Sequence, residues 1–270
     1  MSDARTFTVP DFGPNDLLSS DKIGARRVKV SAAEFVPEVA KGNVPGHSII
    51  YIHGFATAIG TTESLVWPLN RPIVFSDVPS NLYISSTNNT DTQAVLVQWL
   101  DDQYAKQQDV VQLAGQTPVL LGLGLRVNNM FTASTPATLG DVYCSNENNH
   151  SGGEPNNPDS VVAFYNSKIQ SSSGLHYSVP AGHTVFGLSG YFSASKGKDY
   201  DFFWNIRNPA AGLPEINTNV LSLYESTVSI NFEYTSIPEK TDAYFTAVTS
   251  GSAGRVSVRI PAMLVDNNFL

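Results

Sequence analysis

Apolar and polar residues alternate in short bursts along this chain, and Gly, Pro, Asn and Asp separate the bursts. Ser48-Ile-Ile-Tyr-Ile52 is an apolar run held between Gly46 and Gly54. Leu82-Tyr-Ile84 leads into the turn-rich residues 85–91. Thr92-Gln-Ala-Val-Leu-Val-Gln-Trp-Leu100 then has the β-branched and aromatic content of a core strand. Asp101-Asp-Gln-Tyr104 reads as the connection of a hairpin, with residues 106–113 as its return strand. In that return strand Val111 and Leu113 share one face and Val110 and Gln112 the other, the period of two of a pleated ribbon. Gly115-Gln-Thr-Pro118 turns again before a strand at 119–127.

Residues 143–160 carry no apolar pattern beyond Tyr143 and Cys144, and they predict a long exposed polar loop. Strands resume at 161–165, 176–179, 184–193, 200–207, 220–234, 244–248 and 255–260. Within 220–234, Val228, Ile230, Phe232 and Tyr234 face one way, so one face of that strand is expected to be buried. Helical spacing is scarce. Residues 15–27 could form a turn or two capped by Asn15, and a second candidate, 32–40, is interrupted by Pro37.

A strand every ten residues or so, punctuated by turn formers, predicts an all-β fold. The expected architecture is one or two antiparallel β-sandwich domains of jelly-roll type. An N-terminal arm covers 1–47, a first sandwich 48–142, the polar loop 143–160 and a second sandwich 161–270.

Composition narrows the classes of function. Of 270 residues, 41% are hydrophobic and 10% aromatic, enough to fill a core and to exclude a disordered chain. Charged residues reach only 15%, against about 25% in an ordinary globular protein. Such a Ser-, Thr- and Asn-rich chain suits surfaces that are hidden in an assembly. The formal net charge of -8 argues against nucleic acid, which needs clustered Lys and Arg. No window approaches the ~18 consecutive apolar residues of a membrane-spanning helix. Met-Ser-Asp-Ala-Arg lacks the basic-then-apolar plan of a signal peptide, and assembly in a cytoplasm is expected. Cys144, the single cysteine, has no partner for an internal disulfide.

Candidate chemistry is sparse. Tyr51-Ile-His-Gly-Phe55 is similar to the His-Gly oxyanion segment of lipases, but the nearest elbow, Gly187-Leu-Ser-Gly190, is one residue out of the Gly-x-Ser-x-Gly pattern. Ser189, His183 and Asp199 have the residue types of a nucleophilic trio, yet His183 lies in a Pro-Ala-Gly-His turn. His47, His53, His150, His176 and His183 show no His-x-x-x-His spacing. Asp101 and Asp102, or Glu147, Glu154 and Asp159, could offer oxygen ligands to Ca²⁺, although an acidic pair in a turn is ordinary turn chemistry. Two carboxylates suited to glycoside hydrolysis are neither indicated nor excluded. For sugar binding, Trp67 before Pro68 reads as loop-borne, together with the Asn-rich stretch 146–157, whereas Trp99 and Trp204 read as core. No catalytic, cofactor or metal residue is assigned.

Three stretches carry a resemblance. They are Asp91-Thr-Gln through Trp99-Leu-Asp-Asp-Gln-Tyr104 to Val111-Gln-Leu-Ala-Gly-Gln-Thr117, then His176-Tyr-Ser-Val-Pro-Ala-Gly-His-Thr-Val185, then Ile237-Pro-Glu-Lys-Thr-Asp242 with the closing strand near Val265-Asp266. Together they resemble a family of virion structural proteins of tailed bacteriophages, mostly marine and environmental ones, although that family tends to carry Gly where Trp99 stands. The resemblance spans roughly Tyr83 to Asp266 and implies a β-rich, non-enzymatic particle component. It further implies homo-oligomeric assembly with other virion proteins, as a tail or neck component (sheath-like, baseplate or fibre-attaching). A capsid decoration protein and a lectin-like module for a host glycan are the alternatives.

Overall fold

The computed structural model describes residues 35–69, 73, 75–172, 174–195, 198–224, 226–232 and 235–270. After the short helix α1 (Phe35–Ala40) come β1 (His47–Ile59), β2 (Ser64–Leu65), β3 (Ser80–Ser86), β4 (Ala94–Asp101), β5 (Lys106–Gln112) and β6 (Val119–Thr132). Then follow β7 (Val142–Ser145), β8 (His150–Ser151), β9 (Glu154–Pro155), β10 (Val161–Asn166), β11 (Ser171–Ser172) and β12 (His176–Ser178). The chain ends through β13 (His183–Gly187), β14 (Ser189–Ala194), β15 (Asp199–Asn208), β16 (Leu213–Tyr224), β17 (Thr227–Asn231), β18 (Ser236–Ile237), β19 (Asp242–Thr249) and β20 (Gly254–Asp266). The all-β, antiparallel expectation holds throughout. Pro37 sits in the first turn of α1, where its missing N–H is no loss, so the expected interruption does not occur. The 15–27 candidate and most of the 1–47 arm lie outside the described residues.

Two sheets form a sandwich. In the first, β20 lies between β1 on one side and β13 and β14, laid end to end, on the other; β18 and β17 flank those two. The 184–193 strand is thus broken at Leu188, opposite Pro261, whose ring leaves no N–H to give to the ladder. In the second sheet β15 lies between β16 and β19, and β12 and β2 share the far side of β19. The expected single strand 220–234 is split between the two sheets, its first part in β16 on β15 and its second in β17 on β14; Val228, Ile230 and Phe232 do share one face, while Tyr234 lies outside the described residues. The alternating inward residues of both sheets meet in one core, where Phe192 of the first stands edge-on to Phe202 of the second at 5.2 Å. Trp204 likewise meets Phe232 at 5.0 Å.

Between β2 and β12 the chain leaves the sandwich and builds a second unit. Its seven-stranded sheet, β11-β10-β7-β3-β6-β4-β5, curls until β11 also pairs β6 and closes a ring. The predicted hairpin is its β4–β5 ribbon, in register from Ala94↔Gln112 to Leu100↔Lys106. Trp99 lies across Gly122 and Gly124 of β6, where an added Cβ would stand 2.8 and 2.7 Å from the indole. The close approach of ring to backbone needs glycine at both places.

Two expectations are corrected here. Residues 143–160 are not one exposed loop: β7 is buried along its whole length between β3 and β10, because Val142, Tyr143 and Cys144 fill both of its faces. The β8–β9 hairpin that follows is pinned by His150, whose ring nitrogens lie 2.6 Å from Ser85 Oγ and 2.8 Å from Ser145 Oγ. Nor do the sheets divide into 48–142 and 161–270. β1 pairs β20 from His47↔Val265 to Ile59↔Gly254, so the sandwich is built from segments on either side of the second unit, which is an insertion within it.

Candidate functional site

The densest polar constellation among the described residues lies where the inserted unit meets the sandwich. Arg126 projects from β6 and Asp242 from the start of β19, on the sheet face directed at the inserted unit. Their contact is a two-pronged fork: Nε donates to Oδ1 at 2.8 Å and Nη2 to Oδ2 at 2.9 Å. Both side chains are withdrawn from water, with Arg126 3% exposed and Asp242 0%. Ser178 Oγ donates to the same carboxylate at 2.5 Å, and Arg207 Nε stands 3.7 Å away. Arg126 Nη1 gives its remaining bonds to the carbonyls of Ser76 and Leu125. The Phe75 ring lies 5.3 Å from the Arg126 guanidinium and 5.9 Å from that of Arg207, and Asp77 pairs with both cations. Burial disfavours the Arg126 charge, but the Asp242 hydrogen bonds and charge outweigh it and raise the guanidinium above its ordinary value.

Neighbouring contacts extend the weld. Asn128 of β6 clamps Ser178 of β12 with a donor and an acceptor, each at 2.8 Å. Ala181 N donates to the Tyr104 carbonyl at 2.9 Å. His176 Nε2 sits 3.0 Å from the Val127 carbonyl, and its Nδ1 is buried without a hydrogen-bond partner. Burial lowers the pKa of this imidazole, Arg126 adds to the shift, and the Val127 bond and Asp242 oppose it. Apolar packing lies on both sides of the charged centre. Leu65 and Trp67 from the sandwich meet Tyr143, Val161 and Phe164 on one side. Leu100, Tyr104 and Leu125 meet Ala181 on the other.

Trp67 corrects a further expectation. It is fully buried in this junction and has no face to offer a sugar, because Leu65 and Trp67 both turn toward the inserted unit. Trp99 and Trp204 are core residues as read, Trp99 with its indole N–H 2.7 Å from Asp109.

The other sequence candidates fall apart in space. His53 lies mid-strand in β1 with Nε2 3.2 Å from Ser171 Oγ; burial first, and Arg259 second, lower its pKa. Gly54 is there for crossing strands rather than an oxyanion turn, since a Cβ would stand 2.4 Å from the Val66 carbonyl oxygen. Ser189 pairs Asn231, His183 pairs Asp266, and Asp199 belongs to the opposite sheet, so the trio never converges. Asp101 takes N–H bonds from Gln103 and Ala105 at 2.9 Å and from the Gln107 amide at 2.8 Å. Burial raises its pKa, and these donors outweigh burial and hold it low, as turn chemistry requires. Glu147 accepts from Asn157 N at 2.7 Å and closes a loop, while Glu154 lies in β9 and Asp159 in the one-turn segment Pro158–Ser160. Among the described residues no three His, Cys, Asp or Glu gather as metal ligands, and no helix is long and apolar enough to cross a membrane.

A groove of about 630 Å³ lies on the outward face of the second sheet, lined by Glu63, Leu65, Ile73, Tyr244 and Thr246. Glu63 accepts from Thr246 Oγ1 and, at 2.9 Å, from Asn217 Nδ2. Tyr244 donates to Glu215; burial and that carboxylate raise the phenol pKa. Sequence reasoning gave no role to Arg126 with Asp242 or to Glu63 with Thr246, because each takes its meaning from a partner more than 100 positions away.

No family model matches this chain, and no curated protein matches it. Among solved structures it is similar to infectious bursal virus-derived T=1 particles, at 12% identity and a TM-score of 0.24, over 83% of this chain and 71% of that one. The infectious bursal disease virus VP2 subviral particle follows at 12% identity and 0.21, over 82% and 72%. A vicilin from Solanum melongena has 10% identity and a TM-score of 0.12, over 88% and 78%.

Proposed function

We propose that this protein is a non-enzymatic structural component of a viral particle and acts by assembling with copies of itself. The observation that carries the proposal is the welded junction. A buried charge pair, flanked by apolar packing, fixes one β-unit on another in a single relation, as a repeated building block requires. The three sequence stretches noted above support a finer reading, a tail or neck component of a tailed bacteriophage assembled in the host cytoplasm. Head decoration is the alternative station. Head-to-tail contacts that close would give rings, the geometry of such components. The test is the mass of the purified chain in solution, with labelling of particles by an antibody against it. Defined oligomers and a regular pattern on virions are expected; a monomer at every concentration reached, with unlabelled particles, refutes the proposal.

A second reading has one observation in its favour. The groove at Glu63 and Tyr244 sets a carboxylate and an aromatic ring side by side, the pairing that binds a sugar's hydroxyls and its apolar face. Host-glycan binding abolished by Glu63→Ala and untouched by changes around residues 146–157 would favour it.

A further inference from the structure

The sandwich has two outward faces of opposite character. On the first sheet the outward positions of β1 are Tyr51, His53, Phe55 and Thr57, and those of β20 include Arg255, Ser257 and Arg259. β14 adds Ser189, Tyr191 and Ser193, and β17 adds Thr227, Ser229 and Asn231. Among these described positions stand two arginines and no carboxylate, on a protein whose net charge is -8. Tyr51 is 53% exposed and Tyr191 49%, and the Arg259 guanidinium lies 4.8 Å from the Tyr51 ring. Exposed Tyr and Arg with few other charges is the composition of a contact surface.

The second sheet's outward face meets the inserted unit at its Arg207–Asp242 end, and beyond that contact it carries the opposite sign. Asp199 and Asp201 project outward from β15, whose alternate residues Tyr200, Phe202 and Trp204 fill the core. Glu63 and Glu215 stand on the same side. The hydrogen-bond donors to Asp201, Glu63 and Glu215 are hydroxyls and an amide, Ser222, Thr246, Asn217 and Tyr244, so their charges are not cancelled.

Resting on the reading of the chain as an assembling component, we infer that copies stack head-to-tail. The Arg255–Arg259 face of one copy covers the Asp199–Asp201 face of the next. Opposite charges bring the two faces together, and the tyrosines supply contact area. The two faces lie on opposite sides of one slab, so the contact is heterologous and builds a ring or a filament rather than a closed dimer.

Charge reversal on the full-length chain tests this, read by sedimentation velocity. Arg255→Glu with Arg259→Glu, and separately Asp199→Lys with Asp201→Lys, each weaken self-association by roughly tenfold or more. Circular dichroism of both variants matches the parent, since the changes lie on solvent-facing positions. Mixing the two variants restores assembly, because each reversed face then meets a complementary one. An assembling parent whose variants assemble equally well, or whose mixed variants stay apart, overturns the stacking while leaving self-assembly intact. A parent that never self-associates overturns self-assembly itself.

Discussion

Removing the carboxylate at Asp242 is the sharpest perturbation the junction allows. In Asp242→Ala, Arg126 loses two charge-assisted bonds at 2.8 and 2.9 Å, and Ser178 Oγ loses its acceptor. Arg126 stays 3% exposed inside the junction, with Asp77 at 3.5 Å as its remaining anion. Breaking a buried pair from one side costs about 3–5 kcal/mol, because a desolvated charge is left behind. Against a typical stability of about 5–15 kcal/mol, that is a large fraction of the whole. Urea unfolding followed by tryptophan fluorescence suits the measurement, since Trp67 reports the junction, Trp99 the inserted unit and Trp204 the sandwich. The expected result is a midpoint shift equal to several kcal/mol, with the Trp67 signal changing first. Replacing both partners by apolar residues, Arg126→Met with Asp242→Leu, returns most of the loss, because no charge remains buried. If Asp242→Ala unfolds within about 1 kcal/mol of the parent, the pair does not hold the two units together and the reasoning fails.

Further outcomes follow from the same contacts. Trp67→Ala removes the centre of the apolar junction and costs about 3–5 kcal/mol in the same unfolding assay, with any glycan binding unchanged. Acid destabilises the fold: the folded-state pKa values of His176 and His53 lie below the usual histidine value, so their contribution is complete above about pH 6.5. That stability is lost as the pH falls from there toward the lowered values, at up to about 1.4 kcal/mol per pH unit for each group. Stability measured between pH 7 and pH 5 should therefore fall more steeply in the parent than in His176→Asn. Burial raises the Cys144 pKa and closes off its thiol, so a thiol reagent labels it only at the rate of unfolding; fast labelling of the native chain contradicts that burial.

Much of the fold was legible because a strand's own residues announce it. The ribbon at Ala94–Asp101 and Lys106–Gln112, and the alternation of Val228, Ile230 and Phe232, depend on near neighbours alone. Where a local pattern had two solutions the reading failed. Tyr143 and Cys144 looked like the rim of a polar loop, although β3 and β10 stood ready to bury them. Trp67 before Pro68 resembled an exposed ring, since nothing beside it in the chain shows that Tyr143 and Phe164 close over it.

The order of residues by itself determined that this polypeptide is pleated, where most of its turns fall and that it carries excess negative charge. Side-chain alternation and backbone freedom act over a few positions, so no distant partner is needed to read them. Only the tertiary structure decided that β1 closes against β20, that a second unit is inserted between them and that Arg126 meets Asp242. Strand pairing is set by backbone groups that every residue possesses, so choosing among possible partners falls to the packing of the whole chain.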